Sequence, residues 1–207
     1  MASESTTKGE RTRAQILEAG LEQARKLGVT GVTVGSLAEA TGLSKSGLWS
    51  HFGSKTALES GILDHAAERF TEEVVRPAWR EKHIRRRMGR LFDCWLDWGA
   101  RHPAGGGCVF VGAATELDDR DTPSRETLVR IQRQWMDTLA GVIDRGVARG
   151  ELPAGLDGRQ AAHELYAIVM GFYHADRLLG DPQAEARARI MVDRLFGPEP
   201  EAEGEPT

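Results

Sequence analysis

The segment TVGSLAEATGLSKSGLWSHFGS, residues 33–54, starts and stops a helix twice within some twenty residues. Thr33 is a good N-cap, and Leu37, Ala38 and Thr41 then share one face of a short helix. Gly42 suits the left-handed residue that ends such a helix. Leu43 is a lone apolar residue in the turn. Ser44 caps a second helix from Lys45 to Phe52, Gly53 stops it, and Ser54 caps a third. Two short helices joined by a tight glycine-containing turn make a helix-turn-helix pattern.

On a wheel of 100° per residue, Leu48 and Phe52 point inward, while Ser46 and Ser50 point directly away from them. Gly47 and Trp49 flank that outward stripe. Lys45 lies at the N-terminal end and His51 at the inner edge. A small, polar leading face with one aromatic on its shoulder suits entry into a DNA major groove. Trp49 is misplaced for a core, and its indole N–H is available to a phosphate oxygen. His51 and Lys55 reach the same groove wall.

The rest of the chain reads as helices. Leu17, Leu21, Ala24 and Leu27 recur at helical spacing over 11–27. Ile84, Met88, Leu91, Trp95 and Trp98 do so over 84–98, and Leu128, Ile131, Trp135, Leu139 and Val142 over 124–147. Residues 108–117 fit a strand or a helix, and the neighbouring helices favour helix. Residues 158–179 and 183–196 are expected as two closing helices split by Gly180-Asp181-Pro182. No hairpin pattern appears, so the expected class is all-α. The expected organisation is a disordered arm over 1–10 and an N-terminal three-helix DNA-binding domain over 11–56. A helical effector-binding and dimerisation domain over 57–196 and a disordered acidic tail over 197–207 complete it.

Charge refines this picture. The chain of 207 residues carries a formal net charge of −4. Residues 1–56 hold seven Lys/Arg against five Glu, a surplus of +2, which leaves −6 for the remainder. A mildly basic head on an acidic body permits nucleic-acid binding at one end. The polar start is no signal peptide, no apolar run approaches the length of a membrane span, and the two cysteines form no C-x-x-C. A cytoplasmic chain with no membrane partner is expected.

Taken in order, Thr33-x3-Leu37-Ala38-x3-Gly42-Leu43-Ser44-x2-Gly47-Leu48-Trp49-x-His51-Phe52-x2-Lys55-x2-Leu58 resembles the DNA-binding signature of the TetR family of bacterial transcriptional regulators. The match covers about residues 11–60. The resemblance implies DNA contacts at Thr33, Lys45, Ser46, Gly47, Trp49, Ser50, His51 and Lys55, and a near-palindromic operator read by a homodimer. In that family the position of Trp49 is usually tyrosine, whose hydroxyl bonds a phosphate; indole substitutes as a donor only. The family pattern also implies a C-terminal domain that binds a ligand, with its last two helices forming the dimer interface. GGGCVFVGAATEL resembles a Gly-Cys motif that opens the sixth helix in some members.

Within that body the aromatic and Met-rich side chains Met88, Phe92, Trp95, Phe110, Trp135, Tyr166, Met170 and Tyr173 are expected to line a pocket for a small hydrophobic effector. His174, Glu116 and Asp137 are candidate orienting groups. Residues 165–173 are apolar all round, so one side of that helix needs a partner chain. Leu165, Val169 and Phe172, with Ala188, Met191 and Leu195 on the final helix, are the expected dimer interface. The run HIRRRMGR at 83–90 reads as the solvated side of its helix. No catalytic set, metal spacing or cofactor motif is found, so the expectation is a regulator and not an enzyme. Cys94 reads as inert core. A rival reading has the same fold controlled by oxidation of Cys108 or by a protein partner; an architectural DNA-binding protein and an enzyme are weaker rivals.

Overall fold

The computed structural model describes residues 7–102 and 105–200. Among these every regular element is helical, and no helix is long and apolar enough to cross a membrane. The chain forms two compact units.

The first unit comprises residues up to Arg69 together with 102–131. Helix α1 runs Lys8–Leu27 and begins with a capping box. Thr7 Oγ1 accepts from the Glu10 N–H at 3.2 Å, and the Glu10 carboxylate accepts from the Thr7 N–H at 2.7 Å. The expected arm over 1–10 is therefore corrected at its inner end: residues 7–10 form the cap and first turn, while 1–6 lie outside the described residues. Ile16, Leu21 and Ala24 are buried along one stripe of α1. Gly20 in that stripe lets α4 come close, since a Cβ there would sit 2.8 Å from Ile62 Cδ1.

Helices α2 (Val34–Thr41), α3 (Lys45–Phe52) and α4 (Lys55–Phe70) follow the capping read from sequence. Thr33 Oγ1 accepts from Ser36 N at 3.1 Å, Ser44 Oγ from Gly47 N at 3.0 Å, and Ser54 Oγ from Ala57 N at 3.0 Å. Gly42 closes α2 in the left-handed region at φ 68°. Residues 108–117, open to two readings, form helix α7 (Val109–Leu117), which packs on α1. The opening turns of α8 (Pro123–Ala148) complete the unit. The boundary expected at 56/57 thus falls at the start of α4, whose Leu58, Ile62, Leu63 and Ala66 are buried.

The second unit holds 70–101 and the chain from 132 onward. Here α4 passes through a π-helical turn at Thr71–Val75 into the short α5 (Arg76–Trp79), and α6 follows at Ile84–Ala100. Helix α9 spans Gly158–Tyr173 and α10 spans Ala184–Phe196; the two pack together, and both pack on α6. The single helix expected over 158–179 departs from α geometry after Tyr173, where His174–Leu178 form a π turn. The acidic tail expected from 197 is tied down where it begins. Buried Arg85 on α6 donates to the Gly197 carbonyl at 2.5 Å, to Asp193 at 2.6 Å and to Glu199 at 3.2 Å. Residues 201–207 lie outside the described residues.

Candidate nucleic-acid interface

Helix α3 presents the face that its sequence assigns. Leu48 is fully buried and Phe52 half-buried, whereas Lys45, Ser46 and Ser50 are exposed. Trp49 is 39% exposed, a high value for a residue that is mostly buried in folded proteins. Ser46 Oγ lies 3.2 Å from Ser44 Oγ, and Ser50 Oγ donates back to the Gly47 carbonyl at 2.7 Å. Both hydroxyls keep acceptor capacity on an exposed face. Gly35, Ala38, Glu39, Gly42, Leu43 and Lys45 line an open concavity between α2 and α3. Phe52 is covered from one side by Arg13, whose guanidinium stands 4.5 Å from the ring centre. This contact holds an arginine of α1 beside the helix pair, as a cation–π pairing allows.

Thr33 serves first as the N-cap of α2, and His51 is half-buried near Phe52, with ring centres 6.4 Å apart. Lys55 is half-exposed and already engaged. Its Nζ donates to the Thr30 carbonyl at 2.6 Å and stands 3.8 Å from buried Glu59. An ammonium has three donors, so a phosphate contact and the Thr30 bond are compatible.

Of the expected orienting groups, Glu116 has another task. Its carboxylate accepts from the Val29 N–H at 3.2 Å, the Thr30 N–H at 2.8 Å and the Thr30 hydroxyl at 2.8 Å, so it is occupied at the α1–α2 turn. His174 and Asp137 are exposed.

Among the expected pocket residues, Trp95, Trp135 and Tyr166 come together. Trp95 and Trp135 meet edge to face at 5.3 Å, and Trp95 and Tyr166 at 6.0 Å. Phe70 stands among them, 5.8 Å from Trp95, 5.6 Å from Trp98 and 5.1 Å from Trp135. Phe70 stands outside the expected lining because it closes α4 in step with buried Leu58, Ile62, Leu63 and Ala66, a spacing that marks core rather than a pocket. The Trp135 Nε1 is buried with no hydrogen-bond partner among the described residues. Tyr173 is buried and donates to the Trp95 carbonyl at 2.6 Å, so it closes core rather than offering a hydroxyl. Met88 and Phe92 are buried on α6 and Met170 is half-buried on α9, whereas Phe110 belongs to the first unit. Cys94 and Cys108 are both buried thiols outside any disulfide; burial pushes the Cys94 pKa up, which disfavours the reactive thiolate.

Four of the six expected dimer residues need correction. Leu165, Val169, Phe172 and Ala188 are buried within the single chain, so they face its own core. Helix α10 carries two apolar stripes one residue apart. The stripe Ala184, Ala188, Val192 and Phe196 is buried and leaves Met191 outward, with Leu195 half-buried. Ile190 at 51%, Met191 at 48%, Leu178 at 72% and Leu179 at 65% exposure are uncovered apolar side chains on α10 and in the turns after α9, and a Cβ added at Gly171 would meet nothing within 4 Å. The sequence signal for this was Ile190 itself, which broke the assumed stripe. No group of three or more potential metal ligands occurs among the described residues.

Comparison with known proteins places these features. Residues 16–59 match the family described as bacterial regulatory proteins, tetR family, and residues 84–192 match the tetracyclin repressor-like C-terminal domain. The chain is 27% identical to the HTH-type transcriptional regulator TtgR of Pseudomonas putida over 199 residues, covering 87% of each chain. It is 26% identical to the HTH-type transcriptional repressor ComR of Escherichia coli over 180 residues, covering 83% of this chain and 86% of that one. A TetR transcriptional regulator from Chloroflexus aurantiacus superposes with a TM-score of 0.80 at 26% identity, over 90% of this chain and 94% of the other.

Proposed function

Because the chain belongs to the TetR family of DNA-binding transcriptional regulators, we propose that it is a homodimeric repressor that reads a near-palindromic operator through α3 and is released by a small apolar or aromatic effector. The observation that carries the DNA-reading part is the α3 surface. A rigidly capped helix buries Leu48 and leaves Lys45, Ser46, Trp49 and Ser50 facing out. In a major groove, Lys45 donates to a guanine edge, the serines accept several bases, and Trp49 and Lys55 anchor phosphates. Repression is supported by the likeness to a relative named as a repressor.

Dimerisation through the outward side of α9 and α10 is supported by the bare Ile190, Met191 and Leu178, a larger apolar exposure than isolated surface residues need. A two-fold dimer fixes two copies of α3 against half-sites about one helical turn apart or a multiple of it. The effector reading is supported by the edge-to-face cluster of Phe70, Trp95, Trp135 and Tyr166 and by the unpartnered Trp135 N–H. A buried donor without an acceptor costs roughly 1–3 kcal/mol, and an aromatic ligand bearing a carbonyl or ether oxygen would recover it.

Selection of bound duplexes from a random pool, followed by titration of the selected and a scrambled duplex, tests the main reading. The expected result is a palindromic consensus bound by two chains, at least tenfold tighter than the scrambled duplex. Equal affinity for both duplexes would remove sequence-specific regulation as the function. Thermal-shift and tryptophan-fluorescence titration with a panel of aromatic compounds tests the effector.

A further inference from the structure

The α1–α2 turn is gripped from two sides by helices that do not belong to the reading pair. Glu116 of α7 holds the Thr30 N–H, the Thr30 hydroxyl and the Val29 N–H, while Lys55 of α4 holds the Thr30 carbonyl. Every polar group of Thr30 is thereby taken up. The grip extends further, because Lys55 faces Glu59, and Glu59 accepts from Ser124 in the first turn of α8 at 3.0 Å. The lead-in to α7 makes a second attachment: the Gly107 N–H donates to the Arg25 carbonyl in the last turn of α1 at 2.9 Å. Glycine permits the close approach at both places. A Cβ at Gly28 would collide with the Glu116 carboxylate, and one at Gly106 with the Arg25 carbonyl.

The position of this grip gives it leverage. Three residues after Thr30, Thr33 caps α2, and α2 leads through Gly42 directly into α3. A carboxylate bound to three donors makes short, directional, charge-assisted bonds, which resist rotation of the turn. Lys55 shares its ammonium between the Thr30 carbonyl and the groove wall, so loosening the turn also loosens a phosphate anchor.

We propose that Glu116 is a positioning residue for operator binding: from α7 it fixes the α1–α2 turn and thereby the angle at which α2 and α3 meet DNA, so that displacement of α7 releases the reading pair. This inference rests on the DNA-reading function proposed above and assigns the residue through which that function is regulated.

The test uses the full-length protein and the selected operator. Affinity is measured by fluorescence anisotropy for the wild type, Glu116→Gln, Lys55→Ala and the double variant. Amide hydrogen exchange is followed at Val29 and Thr30. Glu116→Gln is expected to speed exchange at both amides and to weaken operator binding about tenfold, the scale of losing charged hydrogen bonds. Since Glu116 and Lys55 grip one residue, Thr30, the double variant should lose less than the product of the single losses. Leu128→Ala controls for simple destabilisation. It opens a cavity on α8 in the same unit and should lower the melting temperature while the folded dimer binds as wild type does. Thr30→Ser, which keeps all three bonds, should bind within about twofold of wild type. Thr30→Val removes one bond, and its smaller loss tests the inference if Glu116→Gln does not fold. Binding of Glu116→Gln within twofold of wild type, or an equal loss in Leu128→Ala, would overturn the positioning role. Failure of the wild type itself to prefer operator over scrambled duplex would instead remove the DNA-reading function and this inference with it.

Discussion

Lys45 is the long donor at the leading end of α3, exposed beside the small hydroxyls of Ser46 and Ser50. Its replacement by alanine should cost roughly 1–3 kcal/mol of operator binding and relax the preference at one base pair, as read by titration against operators varied singly. Lys55→Ala should behave differently, weakening all duplexes alike and lowering the salt slope by about one unit. Gly28 answers to another constraint. With φ at 79° and the Glu116 carboxylate against its α-carbon, it has neither the backbone freedom nor the space for a side chain. Gly28→Ala should destabilise the fold by more than about 1 kcal/mol in denaturant titration. The outward stripe of α3 was legible in the sequence because helical periodicity and two glycine stops fix which way each residue points. The grip of Glu116 on Thr30 was not, since it joins residues 86 positions apart and nothing local marks the pairing.

Helix ends carried most of what the sequence disclosed about the elements. Thr33, Gly42, Ser44, Gly53 and Ser54 each perform the capping task that their chemistry suggests. The earliest cap lies in a stretch whose polar composition reads as disorder: Thr7 and Glu10 form a capping box, which places the start of α1 at Lys8. Glu10 offers a pH test. Hydrogen bonding from the Thr7 backbone N–H, with a smaller contribution from its hydroxyl, holds the Glu10 carboxyl below its ordinary value. A depressed native value means the stabilisation is fully present above the ordinary glutamate range and is lost as pH falls through the lowered value. The first turn of α1 should therefore fray on acidification, seen as faster amide exchange at residues 8–11, and Glu10→Gln should flatten that dependence. The two π turns had no such signature. The four residues after Tyr173 carry only one apolar side chain, Ala175, so periodicity has nothing there to register the change of helix. The same weakness misassigned α10, where two apolar stripes lie one residue apart and only packing chooses between them.

For the molecule as a whole, the bare apolar surface of α9 and α10 sets the expected assembly. Ile190→Asp combined with Met191→Asp should yield a folded monomer by light scattering, with operator affinity reduced to that of a single half-site. A dimer that survives both changes would place the interface elsewhere. The first compact unit also has a property that follows from its two-part path along the chain. Its helix-turn-helix is complete only when residues 102–131 have joined residues 7–69, because α7 supplies Glu116 and α8 supplies Ser124 and Arg130, the last paired with Asp64 at 2.5 Å. During synthesis the reading head therefore waits until the chain has emerged through Ile131, nearly two-thirds of its 207 residues, before it can close. An evolutionary or engineered exchange of operator specificity between relatives faces the same requirement. A graft cut at the end of α4 would carry the recognition helix without its supports, whereas one that brings 102–131 along would transplant a working head.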